Sequence, residues 1–404
     1  MPHTFAHPKF RDRFLPVIHQ PQAYGHLEAK LGVCSYQTSL AKECLGLQAS
    51  VLSYKEESGR LPLSTSRACQ RSRATAAASK RILKKPLKIL DAPGITDDFY
   101  SNILDWSTTD WAAVGLHQGV WLWHSKTGRV TRLYESYRDE CVMSVACSNA
   151  GKKVAAGFVS GVVRLFDSNT LQETRVFQGH SYATTALAFS GNLLASGAKD
   201  SKILLRDVRC PAHFVACFTA HRSAICGLKW SHEVDPKLAS GGNDNRVFIF
   251  KPGYCEPYRQ LPIHRSAIKA LAWSPHHHSQ LVTGAGTRDK SIRLWNVSTG
   301  ALIKIVETSS QVCNLTWSKS CNEVVSTHGF TDNTLQVWKC PSLTQVACTV
   351  AHPARVLHLV LSPCGRLVMT GAGDQTLRLW DIFPSDRASF ANGRLLNLTG
   401  DQLR

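Results

Sequence analysis

Apolar and polar positions fall into two regimes along the chain. From Asp91 onward, short runs alternate apolar with polar residues and are punctuated by glycine, whereas the first 84 residues show little periodicity. Period-two alternation over four to six residues predicts half-buried strands. Seven runs occupy equivalent places: Val120–Trp123, Val163–Phe166, Ile203–Arg206, Val247–Phe250, Ile292–Trp295, Leu335–Trp338 and Leu377–Trp380. Their last residues step by 43, 40, 44, 45, 43 and 42 positions. Such a period is one supersecondary unit repeated seven times.

Other features keep the same phase. A small-residue turn with an aspartate precedes each of the last five runs: Ser196-Gly197 with Asp200, Ser240-Gly241 with Asp244, Thr283-Gly284 with Asp289, Ser326 with Asp332, and Thr370-Gly371 with Asp374. Leu228–Ser231, Leu271–Ser274 and Leu315–Ser318 read as inner strands, and Gly179-His180, Ala220-His221 and Ala351-His352 open repeats. The pattern predicts an all-β protein, a seven-bladed WD-repeat β-propeller over residues 85–383. Each apolar run is then the third strand of a blade. No good strand follows Trp380, so Lys85–Leu90 is expected to pair beside Leu377–Trp380 and close the ring, leaving no open sheet edge.

The 404 residues carry a net charge of +18, and 43% of them are hydrophobic, enough for a sizeable core. Met1–Lys85 holds 14 basic and 5 acidic residues, half of that surplus. Residues 1–84 are expected to be a flexible basic arm and 384–404 a flexible tail. Met1–His19 lacks an apolar signal core, and no apolar run reaches the roughly 18–20 residues that span a bilayer, so no membrane role is expected. The 14 cysteines include no Cys-x-x-Cys pair and read as reduced thiols of a nuclear and cytoplasmic protein. The run His276-His277-His278 follows Trp273-Ser274-Pro275 at a strand exit and reads as a loop rather than a metal site. No metal or other cofactor is expected. Nucleophile elbows and phosphate loops are absent too, so a binding platform is favoured over an enzyme.

Comparing each repeat with its siblings exposes irregular positions. Before the first strand, blades three, four and five place Ala183, Ala224 and Ala267, whereas blade six has Gln311 and blade seven Arg355. Asn243 and Asn245 flank Asp244 on the same end. Three amides and a guanidinium suit a peptide carrying a carboxylate and an amide, against the bland alternative of a solvated rim. Asp105 stands where its siblings are Ala146, Ala188, Lys229, Ala272, Thr316 and Val360. It is expected at the seam of blades one and seven near Gln375, either receiving a cation or making a structural hydrogen bond.

These residues resemble the Fizzy family, the substrate-recruiting co-activators of the anaphase-promoting complex. The resemblance rests on Ile89–Gly94, Asp97–Asn102, Asp105-Trp106-Ser107, Cys226–Trp230, Ser240–Asn245, Ile268–Pro275 and Gln311–Leu315, and covers roughly Lys85–Phe383. Ser326–Phe330 and Thr370–Asp374 favour the fizzy-related branch. It implies that Asn243, Asn245, Gln311 and Arg355 receive KEN-type degrons. It also implies that Asp105 and Gln375 meet the arginine of a destruction box, with Gln375 in place of the usual glutamate weakening that grip. Asp12-Arg13-Phe14-Leu15-Pro16 resembles the ligase-docking C-box, with Ile18 where an arginine is expected, and Leu403-Arg404 resembles the family's Ile-Arg tail. Arg81-Ile82-Leu83-Lys84 is a further docking candidate, and the arm has no Ser-Pro or Thr-Pro.

The implied role is a non-enzymatic adaptor that promotes ubiquitin-dependent proteolysis in cell-cycle control. Implied partners are subunits of the anaphase-promoting complex, degron-bearing substrates such as cyclins, and inhibitory checkpoint proteins. One rival is a scaffold of the same ancestry without ligase docking. The other is a nucleic-acid binder working through the basic arm, disfavoured because the arm has no aromatic stacking platform.

Overall fold

Alternating sequences of this kind bury one face of each strand, and a four-stranded sheet can bury both faces only by stacking on a like sheet. In the computed structural model, which describes residues 85–383 except 137–139 and 262–263, 28 strands numbered in chain order form seven four-stranded antiparallel sheets. Blade one is β2–β5 (Leu104–Glu135), blade two β6–β9 (Val142–Phe177) and blade three β10–β13 (Thr184–Phe218). Blade four is β14–β17 (Ile225–Leu261), blade five β18–β21 (Ile268–Glu307) and blade six β22–β25 (Val312–Val350). Blade seven joins β26 (Val356–Leu361), β27 (Leu367–Ala372) and β28 (Thr376–Asp381) to β1 (Lys88–Asp91).

The closing strand therefore comes from ahead of blade one. It runs antiparallel to β28, with Lys88 opposite Leu379 and Asp91 opposite Thr376. Leu87 N extends the ladder to Leu379 O at 2.7 Å, and Ala92 N to Gln375 O at 2.9 Å. Leu90 is buried with Trp106, Trp123, Met369 and Leu377, so this strand seals the core between blades seven and one. No described helix is long and apolar enough to cross a membrane.

Inner strands of successive blades pack directly against one another. Blades four and five approach so closely that a Cβ on Gly227 would lie 2.2 Å from Lys269 O, which only glycine avoids. Each inner strand from blade two to blade seven also carries a β-bulge after its first residue. The bulged residues are Met143, Thr185, Cys226, Lys269, Cys313 and Leu357, with Asn102 as their counterpart in blade one. A bulge releases backbone groups from the ladder, and buried groups must then find other partners. Asn102 and Lys269 supply them. Asn102 N donates to Met143 O at 2.8 Å, and its Nδ2 to Thr185 O and Cys226 O at 2.8 and 2.9 Å. Lys269 Nζ donates to Leu357 O at 3.1 Å and to Ser101 O at 2.8 Å. The segment ahead of β2 (Leu104–Trp106) is thereby tied to blades two, three, four and five.

Candidate peptide-binding rim

One end of the ring carries the loops into the first strands and the turns joining second to third strands; we term it the upper rim. A repeated hydrogen-bonded unit shapes these turns. In blade four, His221 Nδ1 lies 3.0 Å from both Asp244 oxygens, and its Nε2 lies 2.7 Å from Ser240 Oγ. The same carboxylate accepts from Arg222 N and Arg246 N. Asp244 is thus fixed on both sides of the turn that presents Asn243 and Asn245, the latter at φ +64°. Equivalent units are His180–Asp200–Ser196, His264–Asp289–Thr283–Trp295 and His352–Asp374–Thr370–Trp380. Burial opposes the charge on Asp289, yet hydrogen bonds from His264, Ser291 and Arg265 N hold its carboxyl well below the usual range. Blade six departs: His328, from the end of its second strand, approaches Ser326 at 2.7 Å, and burial lowers its pKa to about 4.

Gln311 and Arg355 come together around Gly329. Gly329 N donates to Gln311 O, and a Cβ there would meet Arg355 Cγ at 3.0 Å. The Arg355 guanidinium lies 4.4 Å from the centre of the exposed Phe330 ring. Its Nε and Nη2 donate to Asp97 Oδ1 and Asp97 O, each at 2.8 Å, so the guanidinium is pre-aimed with Nη1 left over. Asn243 and Asn245 lie on the same rim with blade five between them and Gln311. Two buried acceptors, Gln311 Oε1 and Asn245 Oδ1, have no hydrogen-bond partner among the described residues. Leaving such an oxygen dry costs about 1–3 kcal/mol, and neither atom is open to solvent in this conformation.

Sequence comparison missed what lies beside Arg355 and Gln311. Lys269 is buried, 5.6 Å from the Phe99 ring, and its pKa is lowered to about 8 by burial. Asp98 accepts from Tyr100 N at 2.9 Å, and its carbonyl accepts from Ser101 Oγ at 2.9 Å. Residues 97–102 therefore lie across the upper mouth of the axis as a plug that carries Asp97 to Arg355. The only sequence signal was an amide at Asn102 and an ammonium at Lys269 where the siblings are Met143, Thr185, Cys226, Cys313 and Leu357.

The seam reading of Asp105 is corrected by its geometry. Its Oδ1 accepts from Trp106 N at 2.9 Å and its Oδ2 from Cys147 N of blade two at 2.7 Å. The carboxylate thus faces blade two and makes the structural hydrogen bond, because the side chain at this strand position points forward around the ring. Gln375 sits instead in the upper turn of blade seven, exposed, at φ +60°. The acidic residue brought beside it is Asp91, paired with Thr376 next along the chain. His276 Nε2 lies 3.0 and 2.9 Å from Ser318 O and Cys321 O, a loop contact. No metal-ligating cluster occurs among the described residues. Asp12, Arg13, Phe14, Leu15, Pro16, Leu403 and Arg404 lie outside them, as do Arg81–Lys84.

Fold and rim together define a seven-bladed WD-repeat propeller whose upper rim carries Arg355 and Gln311 beside an axial plug. The sequence profile of the CDC20/Fizzy WD40 domain matches residues 90–380. The chain belongs to this family. It is 45% identical over 309 residues to Protein FIZZY-RELATED 1 of Arabidopsis thaliana, covering 76% of this chain and 65% of that protein. It is 41% identical over 349 residues to Anaphase-promoting complex subunit cdh1 of Dictyostelium discoideum, covering 78% and 46%. A solved chain from a crystal structure of the mitotic checkpoint complex superposes with a TM-score of 0.74 at 36% identity, covering 84% of this chain and all of that one. The chain spans just under two thirds of the length of the plant fizzy-related proteins it matches.

Proposed function

We propose that this protein is a non-catalytic co-activator that recruits substrates to the anaphase-promoting complex, a ubiquitin ligase, by holding KEN-type degrons on the upper rim. Membership of the Fizzy family supports the role, as does the relative named as an anaphase-promoting complex subunit. The observation that carries it is the Arg355 guanidinium, held by Asp97 on the rim that also bears Gln311, Asn243 and Asn245. Arg355 Nη1 meets the glutamate carboxylate of the degron, while the side-chain amides of Asn245 and Gln311 serve its lysine and asparagine once they turn outward. Asn243 completes the wall. A destruction-box arginine would meet Asp91 beside Gln375, a weaker seat than two carboxylates. Holding substrate and ligase together raises their effective concentration, so modest contacts suffice. The likeness to a checkpoint-complex chain extends the proposal to inhibitory checkpoint proteins as partners.

Calorimetry with a Lys-Glu-Asn peptide tests the pocket. Arg355→Ala is expected to weaken binding at least about tenfold, since truncating a charge-assisted contact costs roughly 2 kcal/mol or more. Equal affinity in wild type and variant rejects the pocket.

A further inference from the structure

Cations are unevenly spread over the upper rim. The loops and turns of blades three, four and five carry Lys199, Lys202, Arg222, Arg246, Arg265 and Lys290, all exposed except the half-buried Arg246. In the corresponding loops and turns of blades six, seven, one and two, Arg355 is the only Lys or Arg among the described residues, and Asp97 already neutralises it. One side of the rim is therefore a basic arc.

No exposed countercharge is interleaved with it. None of the six cations forms an ion pair among the described residues. The carboxylates of the same turns are Asp200, Asp244 and Asp289, with side chains only 6%, 8% and 4% exposed. Each is turned inward onto a buried histidine and also accepts from backbone N–H groups, those of Ser181, Arg222 and Arg265 among them. They shape the turns and leave the outward charge positive. Glu307, at the outer end of β21 (Ala301–Glu307) opposite Ser291, is the one exposed carboxylate at this end of the three blades among the described residues. Like charges gathered in this way repel one another and raise the local positive potential, and an anionic partner relieves both.

The arc adjoins the proposed degron seat. Arg246 follows Asn245 in one turn, and Arg222 lies two residues ahead of Ala224, whose carbonyl accepts from Asn243 N at 2.8 Å. Lys199 reaches inward, its Nζ 5.9 Å from the centre of the Tyr100 ring in the plug. A peptide that leaves the seat on the blade-four side therefore crosses the arc. The chain's own arm does not suit this surface, because Met1–Lys85 holds 14 basic against 5 acidic residues and is repelled by it.

We propose that the arc on blades three to five binds an acidic segment of the substrate, a run of aspartate and glutamate side chains adjacent to the degron in sequence. The proposal deepens the degron reading and rests on it for the placement of the substrate chain. Carboxylates of the run meet the exposed ammonium and guanidinium groups in charge-assisted contacts. Such contacts are individually weak and screened by salt, so the arc selects among degron-bearing chains and speeds their encounter rather than fixing one geometry.

Fluorescence anisotropy with the full chain tests this. The probes are a Lys-Glu-Asn peptide in neutral flanks, the same peptide with a run of glutamates before or after the motif, and the glutamate run alone. At about 0.1 M salt, where charges act over about 10 Å, one of the two extensions is expected to tighten binding about tenfold. At about 1 M, where they act over about 3 Å, the gain should shrink to about twofold or less. A variant combining Lys202→Gln, Arg222→Gln and Arg265→Gln should lose the gain and bind the neutral-flanked peptide as the wild type does, which also reports that the rim remains folded. The glutamate run alone should bind the wild type more tightly than the variant. If it does so while the neutral-flanked peptide binds neither protein, the degron reading falls and the arc stands. No gain from either extension, or a gain that survives in the variant, would overturn the proposal. So would a single-stranded oligonucleotide that depends on the same three residues and binds more tightly than the glutamate run.

Discussion

Lys269 shows how much one side chain on the axis carries. It bridges Ser101 O to Leu357 O from a fully buried position, and burial lowers its pKa from 10.5 to about 8. A neutral amine still has two N–H groups for the two carbonyls, so the plug stays tied when the proton leaves. Between pH 8 and 10.5 the unfolded chain holds that proton and the folded ring does not, so Lys269 makes stability rise with pH across this window. Relative to Lys269→Met, the wild type should gain roughly 3 kcal/mol there, because a tenfold change in proton affinity corresponds to about 1.36 kcal/mol. Denaturant titrations at pH 8 and pH 10.5 measure it, and parallel curves for the two proteins would contradict it. Sibling comparison picked out Gln311 and Arg355 because each breaks an alanine pattern. It misjudged Asp105 because a repeat gives the position of a residue but not the neighbour its side chain faces, and only the bond to Cys147 N settles that.

At the scale of elements, β1 has two duties. It fills the fourth place in blade seven, and through Ala92 and the plug it leads the chain from the seam to the axis. Leu90 sits at the hinge of both, 2% exposed. Leu90→Asp buries an unpaired carboxylate and should destabilise the ring by several kcal/mol, lowering the melting temperature by well over about 5 °C. An unchanged melting curve would mean that β1 is dispensable. The strands were legible because alternation and turn residues are local. The bulges were not, since a one-residue slip in the ladder leaves no mark in a hydrophobic pattern.

For the whole ring, His264, His328, His352 and His358 and the rim carboxylates Asp244 and Asp374 share one sign of pH dependence. Burial lowers His264, His352, His358 and, to about 4, His328, so between about pH 6.5 and 4 the unfolded chain binds protons that the folded ring refuses. Stability therefore falls as pH falls through this range, by roughly 3 kcal/mol from His328 alone. Against burial, bonds from the histidines hold the Asp244 and Asp374 carboxyls below the usual value, which extends the loss to lower pH. Thermal melts from pH 7 to 4 should show a steady decline, shallower in His328→Gln; a flat profile would rule this coupling out.

The chain's own pattern determined the number of sheets, their order and the rim on which polar departures gather. Each depends on a period of about 43 residues, and a periodic arrangement of local elements propagates without knowledge of distant neighbours. Only the tertiary structure decided which carbonyls the bulges release, that Asn102 and Lys269 reach across the axis to meet them, and that Asp97 holds Arg355 from 258 residues away. These partners are brought together by closure of the ring, and no repeat read by itself contains the information about what lies opposite it.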